Sequence, residues 1–144
     1  KGWNSRLDEI QASILRIKLK NLDKDNNKRK LIGEIYNNDL NKISSDIITP
    51  SERDKCKHVY HLYVIKTSKR NKLKAYLEKH GIFTTIQYPV PIHLQPFYKN
   101  IKLHKRLKNT ETVAKEILSL PIYPELDKSK VKEVIKCIKN FYTA

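Results

Sequence analysis

Apolar positions at the start of the chain recur at intervals of three and four. Leu7, Ile10, Ile14 and Ile17 form the stripe, and Leu15, Leu19 and Leu22 widen it. This spacing predicts a helix of about five turns, apolar over much of its circumference. Ser5 stands in the capping position with Asp8 three residues on, and Asp8 and Glu9 suit the positive end of the helix. A second helix is predicted over residues 25–40 from Leu31, Ile32, Ile35, Tyr36 and Leu40, weakened by Asn37-Asn38 and ended by Ser44-Ser45-Asp46. Residues 44–57, with Pro50 and a charge cluster, read as a loop.

The pattern then changes period. Residues 58–65 are rich in β-branched and aromatic side chains and predict a strand. Thr67 or Ser68 caps a short helix carrying Leu73, Tyr76 and Leu77, with Gly81 as its stop, and residues 82–87 predict a second short strand. Three prolines at 89, 91 and 96 exclude both a helix interior and a central strand, so residues 88–96 form a loop. Val113, Ala114, Ile117 and Leu118 mark another helix, residues 120–124 an extended piece, and Val131, Val134, Ile135, Ile138 and Phe141 the face of a last helix beginning near Asp127 or Ser129. The expected fold is α+β, a short sheet with helices packed on one face. The first helix is more apolar than the edge of so small a domain needs, which implies a packing partner outside the chain.

At 144 residues the chain is one domain, or one domain with part of another. A hydrophobic fraction of 39% against 31% charged residues fits a soluble globular chain and excludes a wholly disordered one. No apolar run approaches the roughly 20 residues of a membrane-spanning helix, and no secretory signal is visible. Cys56 and Cys137 build neither a disulfide framework nor a zinc site, so a reducing cytoplasm is the expected location. The net charge of +15 comes from 24 Lys and 6 Arg spread along the chain. Specific nucleic-acid recognition would concentrate Arg among exposed aromatics, and it is not expected here. Such a charge still attracts polyanions and favours phosphate-bearing small ligands.

Little of the remaining sequence carries chemistry. Three glycines build neither a P-loop nor a dinucleotide fingerprint, and no Gly-x-Ser-x-Gly nucleophile motif is present. His58 and His61, three apart on a strand, point to opposite faces and do not suit a metal. His80 and His104 read as surface residues. His93 differs, because prolines stiffen its loop and Tyr88 and Gln95 stand beside it. It either contacts a ligand or ties the loop to the core. Asn4 and Arg6, flanking the first helix start, suit a phosphate group, and they equally suit simple capping with a solvated arginine.

Four segments together carry a resemblance. Gly2-Trp3-Asn4-Ser5-Arg6-Leu7-Asp8-Glu9-Ile10-Gln11-Ala12, the strand at 59–65, Gly81-Ile82 with the loop Tyr88-Pro89-Val90-Pro91-Ile92-His93-Leu94-Gln95-Pro96, and residues 114–124 resemble, in order, motifs of the DegT/DnrJ/EryC1/StrS family. These are pyridoxal-phosphate-dependent nucleotide-sugar aminotransferases of fold type I. The resemblance is to the C-terminal part only. It implies that residues 1–25 are the end of the large domain and the linking helix, and that residues 26–144 are the small C-terminal domain. The Schiff-base lysine and the aspartate pairing with the pyridine nitrogen belong to the large domain, so no catalytic residue and no metal ligand is assigned in this chain, which is expected to be inactive alone.

By the same resemblance, Asn4 reaches the phosphate of pyridoxal 5'-phosphate in the neighbouring subunit of a homodimer, with Arg6 as a second cofactor-binding residue. Tyr88 and His93 line the active-site mouth and contact a sugar nucleotide. The implied reaction moves an amino group from glutamate to a keto group of a nucleotide-linked sugar, in deoxysugar or surface-polysaccharide synthesis. Sugar dehydration by the same cofactor and a stand-alone basic interaction or nucleic-acid-binding module are the alternatives.

Overall fold

A computed structural model describes residues 6–98 and 107–143. Its elements are α1 (Glu9–Leu19), α2 (Leu22–Leu40), β1 (Tyr63–Lys66), α3 (Arg70–Lys79), α4 (Lys108–Glu116), β2 (Ile117–Leu120) and α5 (Lys128–Thr143). The two strands pair antiparallel with Tyr63 opposite Leu120 and Lys66 opposite Ile117. Single bridges extend the sheet on both sides, Ile48 to Lys66 and Thr85 to Ser119.

Strand alternation sorts the sheet into two faces. Tyr63, Ile65, Leu118 and Leu120 share one face and are almost fully buried, in one cluster with Ile32, Tyr36 and Leu40 of α2, Leu73 and Leu77 of α3, and Val131, Val134 and Ile138 of α5. Three helices therefore lie on one face, as the α+β reading expects. Ile117 and Lys66 belong to the opposite face.

Three tyrosines sit where α2 meets β1. The Tyr36 and Tyr63 ring centroids are 4.7 Å apart, and Tyr60 stacks on Tyr63 at 5.9 Å. Their hydroxyls are satisfied: Tyr36 donates to the Pro121 carbonyl at 3.0 Å, Tyr63 donates to Asn37 Oδ1 at 2.6 Å, and Asn37 Nδ2 donates to the Tyr60 hydroxyl at 3.3 Å. Burial pushes the Tyr36 and Tyr63 hydroxyls well above the usual tyrosine range. Tyr60 adopts a left-handed φ of 48°, and its ring fills the space a side chain at Gly33 would need, with ring atoms 3.0 Å from that Cβ position. Glycine at 33 is what lets α2 approach this ring.

A polar knot ties the C-terminal helix down. Asp46 Oδ2 accepts from Thr67 Oγ1 at 2.6 Å and from the Tyr142 hydroxyl at 3.0 Å, while Oδ1 accepts from the Ser68 amide at 3.1 Å. Burial disfavours the charge on Asp46, but these donors outweigh it and hold the carboxyl at about 2. Arg70 is different: nine-tenths buried at the start of α3, its Nε and Nη1 have no hydrogen-bond partner among the described residues.

Several expectations change. The first helix is about three turns rather than five, and the second, expected over 25–40, begins at Leu22, because the chain turns at Lys20–Asn21, where the Asn21 amide bonds back to the Lys18 carbonyl at 3.0 Å. Asp8 is the N-cap of α1 and makes no side-chain cap bond, while Ser5 lies outside the described residues. The strand expected at 58–65 begins only at Tyr63, since the left-handed Tyr60 and the bond from its amide to His58 Nδ1 at 2.8 Å make a turn there. The face-alternation reading of His58 and His61 goes with it. Ile117 and Leu118, placed in a helix by their spacing with Val113 and Ala114, open β2 instead, because pairing with β1 overrides the local period. The second strand at 82–87 is reduced to the Thr85 bridge.

Candidate functional site

The proline loop and α4 together build a groove on the sheet face opposite the helical layer. Each proline fixes one φ, and the remaining turns are closed by short hydrogen bonds: the Leu94 amide to the Pro91 carbonyl at 2.9 Å, Gln95 to Ile92 at 3.1 Å, and Tyr98 to Gln95 at 2.9 Å. The result is two single turns of 3-10 helix, Ile92–Leu94 and Pro96–Tyr98. Tyr88, Val90, Pro91 and Ile92 form one wall of the groove. Asn109, Thr110, Val113 and Ala114 of α4 form the other, with Ile117 at the base, enclosing about 420 Å³. Its walls are mostly apolar, with the Tyr88 phenol, the Asn109 amide and the Thr110 hydroxyl as polar groups. Such a surface suits a flat, partly polar small molecule.

His93 and Tyr88 occupy opposite situations on this loop. Tyr88 is 75% exposed and lines the groove directly. The His93 side chain is only 11% exposed, and its Nε2 lies 3.5 Å from Oε1 of Glu111, whose side chain is 14% exposed. Glu111 sits in the first turn of α4, so this contact joins the two walls. Sequence reasoning did not nominate Glu111, Asn109 or Thr110. A signal for Glu111 exists: it is the first acidic residue after Glu78 and stands in a strongly basic stretch.

The other candidates lie elsewhere. Arg6 is exposed in the extended segment ahead of α1, makes no hydrogen bond or ion pair among the described residues, and does not line the groove. Asn4 and His104 lie outside the described residues. His58 stacks on Tyr60 at 4.3 Å, and His80 bonds the Tyr76 carbonyl at the end of α3. Cys56 is exposed and Cys137 buried, both as free thiols. Among the described residues no group of three or more His, Cys, Asp or Glu side chains could hold a metal ion, and no helix is long and apolar enough to cross a membrane.

A second apolar surface belongs to α1. Not one residue of this helix is buried, and Leu7, Ala12, Leu15, Leu19 and Leu22 line a hollow of about 680 Å³.

Comparison with known proteins places the whole of this architecture. The profile of the DegT/DnrJ/EryC1/StrS aminotransferase family matches residues 1–139. The chain is 41% identical over 143 residues to a pleiotropic regulatory protein of Geobacillus stearothermophilus, covering 98% of the chain and 38% of that protein. It is 37% identical over 142 residues to the dTDP-3-amino-3,6-dideoxy-alpha-D-galactopyranose transaminase of Aneurinibacillus thermoaerophilus, covering 98% and 38%. The crystal structure of S. venezuelae DesV in complex with a ketimine intermediate superposes with a TM-score of 0.91 at 36% identity, over 100% of the chain and 39% of DesV. The chain thus spans well under half the length of the relatives it matches.

Proposed function

The chain belongs to the DegT/DnrJ/EryC1/StrS aminotransferase family, and on that premise we propose that it is the C-terminal part of a pyridoxal-phosphate-dependent nucleotide-sugar aminotransferase. The observation that carries this reading is the match along residues 1–139 together with the fold shared with DesV. In it, residues 1–25 end the large domain and form the linking helix, and residues 26–144 are the small domain. The burial profile supports that division: α1 has no buried residue, and the first buried side chain among the described residues is Ile32.

The described residues do not fit the cofactor by themselves. The groove is lined by no lysine and no carboxylate, and Arg6 stands alone in solvent. The cofactor, which supplies the electron sink for amino transfer, is therefore held mainly by residues outside this chain. Asn4 and Arg6 are proposed as its phosphate contacts, Asn4 reaching across a homodimer. Tyr88 and His93 are proposed to face the nucleotide-linked sugar, with the groove offering an apolar bed beside them. The amino donor is glutamate, and the setting is cytoplasmic deoxysugar or polysaccharide synthesis.

The test is made on the complete polypeptide. It should purify with one pyridoxal phosphate per subunit and convert glutamate to 2-oxoglutarate beyond one equivalent per subunit only when a dTDP- or UDP-linked keto sugar is supplied. Dehydration of the sugar without 2-oxoglutarate would assign the dehydratase chemistry instead. Mixed with the cofactor and borohydride, the isolated 144-residue chain should give diffuse surface labelling. A stoichiometric adduct at one lysine would contradict the placement of the cofactor site outside it.

A further inference from the structure

We propose that Glu111 is a positioning residue: its carboxylate accepts a hydrogen bond from the Nε2–H of His93, which fixes the ring's tautomer and holds the 88–96 loop on α4 at the width of the groove. The inference rests on the reading of His93 as a substrate-side residue. It concerns a residue that this reading does not itself assign.

Three observations carry it. The Nε2–Oε1 separation is 3.5 Å, and both side chains are largely shielded, at 11% and 14% exposure, so the contact is far less diluted by water than a surface pair. The two residues come from different elements, 18 positions apart, and those elements are the two walls of one groove. The other ring nitrogen, Nδ1, makes no hydrogen bond among the described residues. A neutral imidazole carries one N–H, and the bond made by one nitrogen decides the role of the other. With Nε2 donating to Glu111, Nδ1 is left as an acceptor, suited to a hydroxyl of a sugar or ribose. Reversing the tautomer would present a donor instead. Glu111 thereby sets what chemical group the loop can recognise without touching the ligand.

Substitution separates this role from packing. Glu111→Gln keeps the size and one acceptor oxygen, whereas Glu111→Ala removes the acceptor and leaves a good helix former in α4. In nitrogen-15 spectra of the 144-residue chain, His93 should show a slowly exchanging Nε2–H resonance. That resonance should persist in Glu111→Gln and vanish in Glu111→Ala. In the complete enzyme, Glu111→Ala should raise KM for the nucleotide sugar roughly tenfold to a hundredfold, because loss of positioning carries penalties of that size. Glu111→Gln should recover most of the loss, with cofactor content unchanged in both. An Nε2–H resonance that survives in Glu111→Ala, or a proton found on Nδ1 in the parent chain, overturns the proposal. So does normal sugar kinetics in Glu111→Ala when His93→Ala is impaired. If His93→Ala is itself silent, the substrate-side reading of His93 fails, and the resonance still reports separately on whether Glu111 sets the tautomer.

Discussion

The helical layer and the first helix of this chain are built from the same residue types and end in opposite states. In the layer, Leu73, Leu77, Leu118 and Ile138 are fully buried against one another. In α1, Ile10 is 77% exposed and Ile17 67% exposed, although their spacing is equally regular. The loop beside the groove resembles α1 in this respect, with Phe97 at 77% and Tyr88 at 75% exposure. Periodic hydrophobicity says that a face will be buried, and it does not say by what. One region closes on itself within 144 residues. The other presents surface whose partner, on the proposed reading, is the rest of an aminotransferase.

The largest effect expected from this contrast comes from paired truncations. Leu77→Ala, at a fully buried position of α3, should cost about 2–5 kcal/mol in urea unfolding of the chain. Ile10→Ala should change stability by no more than about 0.5 kcal/mol, since an exposed side chain leaves no cavity. In the complete enzyme Ile10→Ala should become costly. A large effect of Ile10→Ala in the isolated chain would show that α1 is docked in solution and break the comparison.

The polar knot gives a smaller, pH-dependent effect. Asp46 is held at about 2 in the fold against an ordinary value of 3.8. A carboxyl lowered in this way stabilises the fold fully above the ordinary value, and the contribution is lost as pH falls through the folded one. The stake is on the order of 2 kcal/mol, reduced by solvent access. Unfolding free energy should therefore drop between roughly pH 4 and pH 2, and Asp46→Asn should flatten that part of the curve. An unchanged acid limb in Asp46→Asn would assign the acid sensitivity elsewhere.

The smallest effect concerns Gly33. A methyl group there meets the Tyr60 ring at 3.0 Å, and crowding of this kind costs about 1–3 kcal/mol. Roughly 1 kcal/mol returns through helix propensity. Gly33→Ala should lose about 1 kcal/mol in net stability, and a gain would mean that Tyr60 moves aside freely.

The order of elements was readable from apolar spacing, and so was the helical face of α5, because a long amphipathic helix needs only local information. What escaped the sequence was decided at a distance. Ile117 and Leu118 fit a helix continuing from Val113, and only pairing with Tyr63–Lys66 makes them a strand. The turn at Lys20–Asn21 contains neither glycine nor proline, so the pattern placed the break between the first two helices a few residues too late. At the site, the stiffness of the proline loop set His93 apart, and the family resemblance added Tyr88 and the substrate side for both. Glu111 escaped because its role depends on α4 folding back beside a loop 18 residues earlier.

The account's central claim, that the open face carrying Tyr88 and His93 is the substrate side of the enzyme, is tested most directly by His93→Ala in the complete enzyme. Steady-state kinetics with the nucleotide-linked sugar should be measured per bound cofactor, alongside a thermal melt. Cofactor content should stay near one per subunit while kcat/KM for the sugar falls by roughly five- to a hundredfold, since losing the imidazole acceptor leaves a sugar hydroxyl unpaired at a cost of about 1–3 kcal/mol. A lower melting temperature with unchanged kcat/KM per folded enzyme would contradict the claim and leave His93 as a tie between loop and helix.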